Sequence, residues 1–268
     1  MGLEMEKIIL CIKGVPKPGT VKVDPKTHTL KRESLELILN PPDRQAIEMT
    51  ARLKETYGFK VYVITMGPPN VIPLLKEVYG IVADEMVLLS DRAFAGSDTL
   101  ATSYVLAQAI KRLSPYSLVL MGLKSIDGET SQVPPETAAL LELPSLTHVK
   151  AIYKEENSWV VIRQTEYGEE ELEVNPPFVA SILPEAFDYL RPPSLKRLLE
   201  AKVKEPMVLA ANDLDLIPER LGLNGSPTQV VDVFEKKIEI KGQVIEGDPS
   251  FLVEKLVSVL EQKGIINP

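Results

Sequence analysis

Cysteine and histidine are scarce in this chain of 268 residues: it has one cysteine, Cys11, and two histidines, His28 and His148. A single thiol excludes an internal disulfide framework and any zinc or iron–sulfur site built from several cysteines. Two histidines leave little for imidazole-based metal chemistry, so no metal is expected. Long apolar runs are also missing, and none approaches the roughly 20 residues that cross a bilayer. The first seven residues carry two glutamates and no basic start leading into an apolar stretch. No secretory leader is read there, and a cytoplasmic setting is expected. Positive charge is in the minority: 30 Lys and Arg stand against 38 Asp and Glu, a net charge of −8. That balance argues against a protein that grips a phosphate backbone.

What remains is an ordinary globular composition, 44% hydrophobic and 25% charged. The first half alternates strands and helices. Residues 7–12 (KIILCI), 61–65 (VYVIT), 86–89 and 118–121 are short apolar runs of the kind buried on both faces of a sheet. Between them, residues 43–57 read as a helix that Asp43 can cap and Gly58 can stop. A second helix is expected over 71–79, ending at Gly80. A third is expected to run to about 113, capped by Ser97 or Asp98. Strand–helix–strand repeats of this spacing give right-handed crossovers and a mostly parallel sheet. The fold class is therefore α/β and Rossmann-like, with helices on both faces.

After Pro144 the pattern changes. Residues 145–152, 159–165 and 170–174 read as strands added antiparallel at an edge, and 178–182 as one more buried strand. The acidic triplet Glu169-Glu170-Glu171 falls in the hairpin turn as a solvated face. Ser194 can cap a helix through Ala201, and 249–263 reads as the final helix. The stretch 213–247 is too sparse in apolar residues to build its own core. The expected organisation is a domain over 1–205 and a C-terminal arm over 206–268 that packs on a partner.

Ligands of open parallel sheets bind at the carboxyl ends of the strands, where strand order reverses. The candidate loops are therefore 11–16, 65–69, 90–99 and 122–133. The last packs small residues, hydroxyls and a side-chain amide between a buried strand and a helix start, which suits a phosphate; a surface loop rich in turn formers is the alternative. Neither GxxxxGK[ST] nor GxGxxG occurs, which disfavours a P-loop NTPase and an ordinary dinucleotide dehydrogenase. Asp98 and Thr99 open a helix, and capping or phosphate contact would each account for them. Cys11 reads as a small hydrophobe beside the ligand. His28 and His148 have no nucleophile elbow near them, so no hydrolase triad is expected. The chain reads as a nucleotide holder whose chemistry belongs to a cofactor.

Five segments occur in an informative order: Cys11-Ile12-Lys13-Gly14-Val15-Pro16, Val23-Asp24-Pro25, Asn40-Pro41-Pro42-Asp43, the run from Asp91 through Thr102, and Asp127-Gly128-Glu129-Thr130-Ser131-Gln132-Val133. Together they resemble the electron transfer flavoprotein beta subunit. The resemblance covers about residues 6–210. It implies a heterodimer with an alpha subunit that holds a redox FAD, and a beta subunit that binds an adenine nucleotide and embraces alpha with its arm. In one branch of the family the beta nucleotide is a structural AMP, with electrons carried between dehydrogenases and a quinone reductase. In the electron-bifurcating branch it is a second FAD that oxidises NADH and feeds a low-potential acceptor such as ferredoxin or flavodoxin. The 127–133 loop is more similar to the bifurcating pattern, D-G-D-T-x-Q-V.

Carried over by position, the resemblance places Cys11, Asn40, Met66, Asp98, Thr99, Gly122, Ser125, Asp127, Gly128, Glu129, Thr130, Ser131, Gln132 and Val133 at the nucleotide. It places Arg191, Leu195 and Lys196 at the docking surface for a partner dehydrogenase, as an apolar plug with a basic rim. Four departures stand out: Lys17-Pro18-Gly19 for the usual Asp-Thr, Pro42 for Phe, Glu129 for Asp, and Pro134 for Gly, which removes an N–H donor. A reading from another class is a stand-alone nucleotide-binding regulatory module.

Overall fold

Strand β1 (Lys7–Cys11) sends Ile8 and Leu10 to one face of a sheet and Ile9 and Cys11 to the other, and all four are buried. Period-2 alternation with both sets apolar is what a central parallel strand requires. Burying each such aliphatic side chain contributes roughly 1.5–3 kcal/mol. The computed structural model describes residues 6–18, 36–155, 158–228, 242 and 244–266. Segment 23–25 and His28 lie outside these.

Chain order continues with β2 (Gly14–Pro16), β3 (Leu37–Leu39), α1 (Asp43–Tyr57), β4 (Lys60–Met66), α2 (Ile72–Ile81) and β5 (Glu85–Leu89). Then come α3 (Thr99–Arg112), β6 (Leu118–Gly122), α4 (Val133–Leu141), β7 (Ser145–Glu155), β8 (Ser158–Thr165), β9 (Gly168–Val174) and β10 (Phe178–Ile182). Helix α5 (Leu195–Val203), β11 (Met207–Leu209) and α6 (Pro249–Gln262) complete the set. One sheet has the order β11-β5-β4-β1-β6-β10-β7-β8-β9. It is parallel from β11 through β7, and β8 and β9 are added antiparallel. Helices α1 and α2 cover one face, and α3 and α4 cover the other. From β1 the chain builds outward through β4 and β5, then crosses to β6 on the other side. The switch point lies between β1 and β6.

Several elements differ from the expectation, each for an identifiable physical reason. Asp43 does not cap α1: Pro42 holds the N-cap position with no side-chain bond, and Asp43 is the first helical residue, its carboxylate turned elsewhere. Helix α2 does not stop at Gly80 but runs to Ile81. A Cβ at Gly80 would meet Leu198 Cδ2 at 2.7 Å, so this glycine permits the close approach of α5 and is no terminator. Glu169, Glu170 and Glu171 belong to β9, where Glu169 pairs with Lys150 and Glu170 with Arg163. The short pair β2–β3 and the edge strand β11 have three residues each, too few to show a period. By contrast, Gly58 ends α1 at φ 75° and Asp98 caps α3, as the sequence predicts.

The body continues past residue 205. Strand β11 pairs with β5, Leu209 and Leu221 are buried in the core, and the Ile217 N–H donates to the Tyr104 hydroxyl at 2.9 Å. The chain divides compactly between Asp232 and Val233, downstream of the 205/206 boundary expected from composition. In the second unit, Asp248 caps α6 through the N–H groups of Ser250 and Phe251. Phe251, Val253, Leu256 and Val257 on that helix are exposed.

Candidate functional site

At the carboxyl ends of β1 and β6 the chain opens a cleft of about 360 Å³. That is the size range of small-molecule sites, at the place where doubly wound sheets bind ligands. Its floor is tied together by two buried polar side chains, Asn40 and Asp43, 1% and 5% exposed. The Lys13 N–H donates to Asp43 Oδ2 at 2.7 Å, and Asn40 Nδ2 donates to Asp43 Oδ1 at 2.7 Å. Asn40 also donates to the Lys124 carbonyl at 2.9 Å and accepts from the Ile126 N–H at 3.1 Å. One asparagine and one aspartate therefore fasten the turn after β1 to the turn after β6. Burial pushes the Asp43 carboxyl up to about 7, although donors from Asn40 and Lys13 pull the other way. Burial, reinforced by the Asp43 charge, also raises the Cys11 thiol far above its ordinary range. Such a thiol is inert.

Two helix starts form the rim. At α3, Asp98 Oδ1 accepts from the Ala101 N–H at 3.0 Å, while Oδ2 accepts from the Thr228 N–H at 3.0 Å and its hydroxyl at 2.7 Å. Burial raises the Asp98 carboxyl, but these donors outweigh it and hold the group below its usual value. The Thr99 hydroxyl reaches Gln132 Oε1 at 3.1 Å and Glu136 Oε1 at 3.2 Å, and Ser103 Oγ reaches Glu136 Oε2 at 3.0 Å. The starts of α3 and α4 are thereby joined. Between β6 and α4, Glu129 and Ser131 adopt left-handed φ values of 51° and 55°. Such alternation of backbone hand lets successive N–H groups share a concavity that suits an anion.

Twelve of the fourteen residues expected at the nucleotide line this cleft: Cys11, Asn40, Met66, Asp98, Thr99, Gly122, Ser125, Gly128, Thr130, Ser131, Gln132 and Val133. Asp127 and Glu129 do not. They bind the two lysines that do line it: Lys13 Nζ lies 2.7 Å from Asp127 Oδ1, and Lys124 Nζ lies 3.2 Å from Glu129 Oε1. Sequence reasoning also missed Asp43 and Lys13 as site residues. Lys13 was findable, since it stands in a strand-end loop. Asp43 was not, because its role depends on partners from two other segments. Pro134 lines the cleft as well and offers no N–H.

At the docking segment Leu195 is 74% exposed and Lys196 is exposed. Leu199 and Val203, one and two turns further along α5, extend the apolar stripe. Arg191 does not form a basic rim. Its guanidinium holds the buried Glu48 at 3.0 Å and also pairs with Glu55. Among the described residues no group of three or more His, Cys, Asp or Glu could hold a metal ion. His148 sits in β7 with φ 58° and does not line the cleft. Among the described residues no helix is long and apolar enough to cross a membrane.

The sequence model of the family described as "Electron transfer flavoprotein domain" matches residues 27–214. The chain is 39% identical to the electron transfer flavoprotein subunit beta of Thermoanaerobacterium thermosaccharolyticum, over 97% of this chain and 99% of that one. It is 41% identical to the caffeyl-CoA reductase-Etf complex subunit CarD of Acetobacterium woodii, over 97% and 100%. It is 38% identical to the electron transfer flavoprotein subunit beta of Clostridium acetobutylicum, over 97% and 99%. The strand-end cleft and these full-length matches agree: the chain belongs to the electron transfer flavoprotein family, among its beta subunits.

Proposed function

We propose that this chain pairs with an alpha subunit in the cytoplasm, holds FAD in the β1/β6 cleft and serves electron bifurcation from NADH. In that role the pair would pass electrons from NADH to the alpha-subunit FAD and to a low-potential acceptor such as ferredoxin or flavodoxin. The observation that carries the reading is the division of labour within residues 127–133. Gly128, Thr130 and Ser131 line the cleft, where small and hydroxyl side chains permit a close phosphate, while Asp127 and Glu129 turn onto Lys13 and Lys124. The donor set fits an adenine nucleotide: the α3 start, the Val133 N–H at the α4 start, a turn with two left-handed residues, and hydroxyls at Thr99, Ser125 and Thr130. When bound, FAD supplies the ability to accept a hydride from NADH and to release its two electrons singly. The chain's own residues bind and orient. Met66, Met121 and Leu123 offer apolar contact, Gly128, Thr130 and Ser131 would hold the phosphate, and Lys13 and Lys124 line the cleft with their charges paired to Asp127 and Glu129.

Structural AMP in the same cleft is the second reading. Pro134 favours it, because the α4 start has one N–H fewer for a pyrophosphate. Flavin content separates the two. Purified with its alpha subunit, the complex is expected to release two FAD per heterodimer, and NADH is expected to bleach both. One FAD with one AMP would decide for the second reading.

A further inference from the structure

The strongest unassigned feature is a carboxyl group buried under the cleft. We propose that Asp43 is the positioning residue of this site: it fixes both strand-end turns on which the nucleotide rests, and it takes up a proton when the nucleotide's phosphate enters. The inference rests on the nucleotide reading of the cleft.

The geometry makes the first half of the argument. Asp43 heads α1, yet its carboxylate leaves the helix to accept from Lys13 N–H and Asn40 Nδ2, both at 2.7 Å. Through Asn40 the same carboxylate reaches the Lys124 carbonyl and the Ile126 N–H. Two turns, one 30 residues from its partner in sequence and the other 84 to 86, are thus referred to one side chain. Gly122 completes the arrangement, because any Cβ there would lie 2.2 Å from Asp43 Oδ1.

Charge makes the second half. Asp43 is almost fully buried and also lines the cleft, so an incoming phosphate meets a carboxyl rather than solvent. The groups that bear on it are Cys11 on β1, Lys13 on the following turn, Asn40 beside α1, and Asp127 on the turn after β6. Lys13 is already paired with Asp127, which leaves little positive charge to offset a second anion. Burial has brought the Asp43 carboxyl to about 7, so an added negative charge is answered by a proton from solvent.

The test uses the full-length chain purified with its alpha subunit, with the beta site emptied, and AMP as the probe. AMP is the portion common to both candidate nucleotides, and at pH 8 its phosphate is fully ionised. Calorimetric titration in two buffers of different ionisation heat gives the protons bound per AMP. Wild type is expected to take up a substantial fraction of one proton. Asp43→Asn is expected to bind AMP with no proton uptake and with an affinity that no longer falls as pH rises above 7. Equal proton counts in both proteins would overturn the inference and leave the nucleotide reading intact. Failure of wild type to bind AMP would overturn both. If Asp43→Asn does not fold, wild type alone decides. Its AMP affinity is expected to fall up to about tenfold per pH unit above 7, and a flat profile from pH 7.5 to 9 rejects the proton.

Discussion

A Cβ on Gly122 would stand 2.2 Å from Asp43 Oδ1 and 2.9 Å from the Asp43 nitrogen. The last residue of β6 is therefore bare because the first residue of α1 occupies its side-chain space. Gly122→Ala is expected to force the Asp43 carboxylate off Lys13 and Asn40, at a cost of roughly 1–3 kcal/mol for overpacking a buried site. Thermal unfolding measures that cost. Nucleotide retained through gel filtration should fall in parallel; unchanged retention with a lowered Tm would separate fold from site.

Asp43 also predicts a pH dependence of opposite sign to the usual carboxylate. Its folded value, about 7, is raised above the ordinary 3.8, so between those values the folded state holds a proton that the unfolded state has lost. Stability from this group is fully present below about pH 4 and declines as pH rises toward 7. Asp98 and Glu48, held below their ordinary values, work in the other direction at lower pH. The measurable quantity is the difference between wild type and Asp43→Asn. In urea unfolding, wild type is expected to lose ground to the variant from pH 5 to pH 8.

How much of this was legible in the chain itself follows from the range of each interaction. The buried run from Ile8 to Cys11 and the bounds of α1 are local patterns, and both read correctly. The cleft's outline was legible too, since strand-end loops converge in any doubly wound sheet. The role of Asp43 was not, because Lys13 lies 30 residues away and the Asn40–Ile126 bond spans 86. A helix-start aspartate is by default read as a cap. The split of residues 127–131 between the cleft and the two lysines was hidden for another reason: the turn carries left-handed backbone at Glu129 and Ser131, and neither is a glycine. Gly80 misled because its cause, Leu198, sits on a helix more than a hundred residues later.

Leu195 and Arg191 are expected to separate docking from folding. Leu195 is 74% exposed, so Leu195→Ala should change stability by no more than about 0.5 kcal/mol. If it is the docking plug, electron delivery to a partner dehydrogenase should slow by about tenfold in stopped-flow. Arg191→Ala strips the buried Glu48 of its bidentate partner and leaves only Arg52, at a cost of about 2–4 kcal/mol. Burial alone would raise the Glu48 carboxyl, but Arg191 and Arg52 hold it below the usual value. That stabilisation is present above about pH 4.5 and fades as pH falls through the lowered value. Thermal melts of the two variants at pH 7 test the contrast; equal loss of stability would refute it.

Asp98 is placed to hold residues 222–228 against the start of α3. One oxygen caps the helix at Ala101, and the other accepts both the N–H and the hydroxyl of Thr228. Ser226 adds a bond from the Asp98 N–H at 2.8 Å. Asp98→Ala removes the cap, worth about 1 kcal/mol, and leaves the Thr228 donors without their acceptor. Thr228→Val removes only the hydroxyl, so it is expected to cost about half as much. Because donors hold the Asp98 carboxyl low, its contribution is present above about pH 4 and is lost as pH falls through the lowered value. Asp98→Asn keeps an oxygen for the cap. Its deficit against wild type is therefore expected to be largest at pH 7 and to narrow toward pH 3. Urea midpoints at the two pH values measure this, and amide exchange at Thr228 is expected to accelerate most in Asp98→Ala. A slow Thr228 amide in that variant would show that the segment is held by other contacts.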